Sequence, residues 1–258
     1  MRLVALGASN LTRGLQAVVS AAREAWGPET EVLAALGHGR SYGSASRFLV
    51  RSLPGILDCG LWRALDDRGR TPTRALVTDV GNDILYGYEV RRILGWVEEC
   101  VARLQAASDE VAITDLPLAG IRRLGRARFL FFRSLFVPSC RLSLAAVSDA
   151  AERVSDGIVE LAERRSLRLV RLRPEWYGLD PIHIRPSLWW TAWHEIVGTT
   201  PRGEAAPEPV KGGRRRTSRR EALSLYLARP ERMRVLGLEW RTPQAGRSLP
   251  DGGRLRLY

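Results

Sequence analysis

Five apolar runs of strand length recur along this chain, and long segments with helical spacing of apolar residues stand between them. The runs are "RLVALG" from Arg2, "EVLAALG" from Glu31, "ALVTDVG" from Ala75, "EVAITDLP" from Glu110 and "LRLVRL" from Leu167. Between the first two lies "TRGLQAVVSAAREAW"; "EVRRILGWVEECVARLQAA" precedes the fourth, and "SLAAVSDAAERVSDGIVELAERR" precedes the fifth. Alternation of apolar strands with amphipathic helices requires crossover connections. It predicts an α/β fold, a parallel five-stranded sheet with helices on both faces. In such sheets ligands bind beyond the carboxyl ends of the strands, so those ends are where function is sought.

A chain of 258 residues, 45% of them apolar, buries a sizeable core in one large domain with room for a small appendage. The domain is read over residues 1–200. Residues 201–220, "PRGEAAPEPVKGGRRRTSRR", are dense in Pro, Gly and charge and read as a linker or flexible loop. Pattern returns over 221–258, with a short helix in "EALSLYLARPE" and two strands in "RVLGLEWR" and "GRLRLY", expected as a hairpin packed on the main domain.

The net charge of +12 is uneven: residues 201–258 hold 14 Lys and Arg against 6 Asp and Glu. Lys211 is the sole lysine, so arginine has replaced lysine even on ordinary solvated faces, and the basic character argues weakly for nucleic acid. The run "GGRRRTSRR" reads first as solvated linker and second as an anion-binding module for nucleic acid or an acidic membrane surface. No stretch has the length of a transmembrane segment, and the chain enters a strand pattern at once, so the expected compartment is the cytoplasm. Cys59, Cys100 and Cys140 are odd in number and lack metal-ligand spacing, as expected of free packing residues. The sequence leaves the oligomeric state open.

Four polar clusters follow the strands. "VALGASNLTRG" breaks its apolar run at Gly7 and presents Ser9 and Asn10 where a helix is expected to start near Leu11 or Thr12. Ser9 there reads either as a helix N-cap or as a nucleophile beside amides that favour negative charge. "GHGRSYG" follows the second strand, its glycines leaving backbone amides open to approach. "DVGND" follows the third, with Asn82 either a turn residue or an oxyanion donor. After the fifth comes "LDPIH", in which Asp180 and His183 are spaced so that a carboxylate meets imidazole Nδ1 and leaves Nε2 free as a base.

With Ser9 in "GAS", Gly39 in "GHG", Asn82 in "GND", and Asp180 and His183 in "DPIH", the sequence resembles the SGNH hydrolases, also called the GDSL esterase and lipase family. The resemblance spans about residues 2–198. It implies a flavodoxin-like three-layer α/β/α sandwich, a serine esterase working through an acyl-enzyme without metal or cofactor, and a small-molecule or lipid-like ester as substrate. Catalysis would fall to Ser9, Asp180 and His183. The oxyanion hole would be the amides of Ser9 and Gly39 with the Asn82 side chain, Gly37 or Gly43 replacing Gly39 if the loop registers differently. The family's aspartate before the serine is Ala8 here, which removes the bonds that hold the nucleophile loop and leaves Asn10 to supply part of them.

Around these positions, Asn10, His38, Phe129 and Phe132 are candidate substrate-pocket residues, the phenylalanines from "RARFLFFRSLFVP", which reads equally as a lid or acyl-binding wall and as core. His38 also reads as a polar loop residue, His194 as helix surface or cap, and Trp189, Trp190 and Trp193 as packing against the sheet. Two further readings stay open: acyl transfer to an alcohol or sugar, and a catalytically degenerate scaffold, which Ala8 makes credible.

Overall fold

A computed structural model describes residues 1–66, 71–137, 140–198, 225, 228–243, 246–249 and 252–258. The five expected strands form a parallel sheet. They are β1 (Arg2–Leu6), β2 (Glu31–Ala35), β5 (Thr73–Val77), β6 (Glu110–Thr114) and β7 (Arg168–Val170), with β3 (Ser46–Phe48) and β4 (Arg51–Leu53) in the connection after β2. In space the order is β2-β1-β5-β6-β7, with β1 central and buried along its whole length. A strand covered on both faces must be apolar at every position, which is why "RLVAL" does not alternate.

The strand period of two divides those residues between two cores. Leu3, Ala5, Val32, Ala34, Leu76 and Ala112 face α1 (Ser9–Trp26) and α8 (Trp189–Val197). Val4, Leu6, Leu33, Ala75, Val77, Val111 and Ile113 face α4 (Val90–Ala107) and α7 (Leu144–Arg164). The layered α/β/α fold follows, with mostly parallel strands between helices. On the first face Gly14 of α1 admits the fully buried Trp193: a β-carbon at 14 would lie 1.8 Å from the indole nitrogen. Trp189 and Trp190 are half-buried against the same core, and His194 bridges α8 to α1 through Glu24 at 2.9 Å. Cys59, Cys100 and Cys140 are free and buried.

The C-terminal strands pair differently from the expected hairpin. "RVLGLEWR" is not one strand but two, β8 (Arg232–Val235) and β9 (Leu238–Arg241), because Leu236 and Gly237 both take positive φ (52° and 85°), the combination that turns a two-residue hairpin. This hairpin joins β3 and β4 in a small antiparallel sheet of order β3-β4-β8-β9. "GRLRLY" supplies β11 (Arg254–Leu257), which runs parallel to β2 and extends the main sheet, followed by β10 (Arg247–Ser248) at its antiparallel edge. The expected linker at 201–220 lies outside the described residues, as does most of the expected helix in 221–231.

Candidate active site

The carboxyl ends of β1, β2 and β5 and the loop after β7 converge on one point. β1 stops at Gly7, where a β-carbon would lie 2.7 Å from the Thr78 methyl, and α1 begins two residues later at Ser9 itself. Ser9 is therefore not the helix cap. Ala8 occupies the N-cap position with no side-chain acceptor of its own. The acceptor comes from across the sheet: Asp79 Oδ2 accepts from the amides of Ala8 (2.9 Å) and Leu11 (3.1 Å). Two of the donors left over at a helix start are satisfied in this way, and Ser9 remains at the N-terminus, where its amide has no intrahelical acceptor. Asp79 reaches these groups from a left-handed backbone, φ 61°, a conformation that aspartate tolerates better than most side chains.

Asn10 completes the brace. Its Nδ2 donates to Asp79 Oδ1 (2.9 Å) and to the Ile182 carbonyl (2.8 Å), while its Oδ1 accepts from the Ile184 amide (2.8 Å). One amide thus ties the start of α1 to the loop carrying Asp180 and His183. Trp189 Nε1 donates to the Ile184 carbonyl at 2.9 Å and fixes that loop from its other end.

Held between these braces, Ser9 Oγ lies 2.9 Å from His183 Nε2, and His183 Nδ1 lies 2.6 Å from Asp180 Oδ2. The other oxygen of Asp180 accepts from the amides of Ile182 and His183, both at 3.2 Å, so the three-residue spacing folds into a turn around its own carboxylate. Burial pushes the Asp180 carboxyl up, but the hydrogen bond and charge of His183, the Ile182 amide and Arg13 together hold it below the ordinary aspartate value. His183 is buried. Such a chain of hydroxyl, imidazole and anionic carboxylate can pass a proton away from the serine and stabilise the imidazolium that results.

Asn82 opens the short helix α3 (Asn82–Leu85) and lines the same cavity as Ser9. Next to it, Asp83 is fully buried and its Oδ2 accepts from the Tyr42 amide at 2.9 Å, which ties the loop after β2 to the turn after β5. Burial raises the Asp83 carboxyl to about 6, against the opposing hydrogen bonds from Ser41 and Tyr42.

The three glycines after β2 differ. A β-carbon on Gly37 would lie 2.2 Å from Leu53, and one on Gly43 2.0 Å from the Trp96 ring, so packing demands both. Gly39 has φ 64°, and its carbonyl accepts a hydrogen bond from the Tyr86 hydroxyl. His38 stacks on Phe48 with ring centroids 5.3 Å apart. Burial, and then the neighbouring Arg51, Arg13 and His183, lower it to about 4.

Of the expected pocket residues, Phe129 is buried on α6 (Arg126–Phe136) and lines the cavity at Ser9. Asn10 also borders that cavity, with its amide committed to the brace. His38 is not among the cavity's lining residues, and the side chain of Phe132 lies outside the described residues. Sequence reasoning missed Asp79. Its signal was an aspartate at the end of an otherwise apolar run, three residues before Asn82. Among the described residues no group of three or more His, Cys, Asp or Glu is placed to hold a metal, and no helix is long and apolar enough to cross a membrane.

No protein-family model matches the chain, and no curated protein matches it in sequence. Solved structures match its fold. A carbohydrate acetylesterase from Sinorhizobium meliloti aligns over 76% of this chain and 96% of its own, with 14% identity and a TM-score of 0.53. The aryl esterase of M. smegmatis aligns over 76% of this chain and 98% of its own, with 12% identity and a TM-score of 0.51.

Proposed function

We propose that this chain, which has the SGNH hydrolase fold, is a serine esterase that cleaves carboxylic esters through an acyl-enzyme. The observation that carries this reading is the unbroken hydrogen-bonded relay from Ser9 through His183 to Asp180. Ser9 Oγ attacks the ester carbonyl carbon while His183 Nε2 takes its proton. As the C–O bond to the alcohol breaks, His183 returns that proton to the departing oxygen. A water molecule, deprotonated by the same nitrogen, then attacks the acyl-serine and releases the carboxylic acid and free Ser9. Asp180 holds the imidazole through Nδ1 and stabilises its charged form.

The oxyanion of both tetrahedral intermediates is assigned to the Ser9 and Gly39 amides and the Asn82 side chain. The helix start at Ser9 and the cavity shared by Ser9 and Asn82 support this; Gly39, left-handed in the loop after β2, is not among that cavity's lining residues. The brace from Asp79 and Asn10 supports an active rather than a degenerate enzyme, since it supplies the bonds that Ala8 cannot.

The test is a fluorophosphonate probe read by intact mass on wild type, Ser9→Ala and His183→Ala. One adduct on wild type, absent from both variants, is the expected result. A folded wild type that forms no adduct would sink the reading.

A further inference from the structure

Resting on the esterase reading, we propose that the ester carries a medium-length apolar acyl chain, of about four to six carbons beyond the carbonyl, held in a cavity that runs from Ser9 between α6 and α7. This cavity has a volume of about 120 Å³. Beyond its mouth its walls are Ile84, Leu116, Ile121, Phe129, Val147 and Ala151.

Several polar groups that reach the cavity have partners elsewhere. Asp79 and Asn10 belong to the brace. Asp115 accepts from the Leu172 amide at 2.8 Å, and Arg133 donates to the Leu142 carbonyl at 3.1 Å while its guanidinium covers the Phe129 ring. What is left to meet a ligand beyond the mouth is hydrocarbon, apart from the Tyr177 hydroxyl and the other Arg133 nitrogens. A sugar, with hydroxyls all round its ring, would lose more water there than these few groups replace, whereas an alkyl chain loses nothing.

The cavity's position selects the acyl side of the ester. The alcohol oxygen must sit at His183 Nε2 to receive its proton, and the carbonyl oxygen must face the oxyanion donors. Only the acyl substituent points away from both. The cavity has Ser9 and Asn82 at its mouth and Pro181 and Ile182 in its wall, while His183 is outside its lining, so the substituent it takes is the one that does not carry the leaving oxygen. Length follows from volume. A comparable apolar cavity of about 150 Å³ takes a benzene ring of six carbons, so one of 120 Å³ suits a chain of slightly smaller size.

The experiment measures kcat/KM of the full chain on p-nitrophenyl acetate, butyrate, hexanoate and dodecanoate. Burial of each methylene is worth about fourfold, so hexanoate should exceed acetate by tenfold or more, and dodecanoate should fall back once the chain outgrows the cavity. Val147→Phe and Ala151→Leu, each checked for a native thermal transition, should bring the hexanoate-to-acetate ratio to about one. Inactivation of wild type by hexyl and ethyl p-nitrophenyl phosphonates, which needs no variant, should favour hexyl by a similar ratio. Acetate as the best substrate, or a ratio unmoved in folded variants, overturns the acyl assignment and leaves the Ser9 chemistry standing. Absence of both turnover and phosphonate adduct removes the esterase reading, and this inference falls with it.

Discussion

The carboxylate of Asp79, at the end of β5, accepts the backbone amide of Ala8 at the end of β1 at 2.9 Å, across 71 positions of sequence. The loop that carries Ser9 is held by a residue following a neighbouring strand, where Ala8 has no side-chain oxygen to hold it locally. Asp79→Asn keeps a side chain that tolerates a left-handed backbone and removes only an acceptor and the charge. It is expected to cost about 1–3 kcal/mol of stability, the range for leaving a buried donor unpaired, and to lower kcat about tenfold or more with little change in KM. Denaturant melts and steady-state kinetics on the same preparation measure both. An unchanged kcat would mean that Ser9 is positioned without the brace.

Asn82 tests the oxyanion assignment. Asn82→Ala removes one donor at the cavity mouth and leaves the triad untouched. kcat should fall by about 10²- to 10³-fold, as loss of a single oxyanion donor typically does. Fluorophosphonate labelling should slow as well. Full activity in this variant would shift the oxyanion to the backbone amides alone.

Asp83 and Asp180 give the stability of the fold opposite pH signs. The folded value of Asp83 is raised from 3.8 to about 6, so its contribution is fully present below about pH 3.8 and is lost as pH rises through 6. At about 1.4 kcal/mol per pH unit, the loss approaches about 3 kcal/mol by neutral pH. Asp180 is depressed, so its contribution is present above its ordinary value and disappears as pH falls through the folded one. Asp83→Asn should abolish the first effect: its melting temperature relative to wild type should rise by several degrees between pH 4 and pH 7. A difference that stays constant with pH would show that Asp83 does not titrate in this range.

Gly14 tests the packing that carries α8, and with α8 the far end of the catalytic loop. Gly14→Ala places a methyl group into the Trp193 indole, and overpacking of this kind typically costs about 1–3 kcal/mol. Chemical denaturation should register that loss. A neutral outcome would mean that the two helices separate without strain.

The parallel sheet was legible because both its signals are local. A strand buried on two faces shows as a continuous apolar run, and an amphipathic helix shows its period within four turns. The positions of Ser9, Asn82, Asp180 and His183 were legible because each lies in a connection leaving the carboxyl end of a strand. Asp79 was not, since its role depends on a register between β1 and β5 that neither segment states alone. The start of α1 was placed at Leu11 or Thr12 instead of Ser9 for the same reason: the acceptor that caps it comes from another strand. The C-terminal strands show the complementary limit. The turn at Leu236 is made by a leucine with positive φ, where turn chemistry predicts Asn, Asp or Gly, and β11 finds its neighbour more than two hundred residues away.

That last pairing bears on the order in which the molecule can be built. β11 covers the flank of β2, and fully buried Arg40, within the glycine loop that follows β2, donates to the carbonyls of Leu36 and Tyr258. Until residue 257 has left the ribosome, β2 presents an open row of amides and carbonyls, and Arg40 lacks one of its acceptors. The loop that carries Gly39 therefore gains its final support only after the segments bearing Ser9, Asp180 and His183 have all been synthesised.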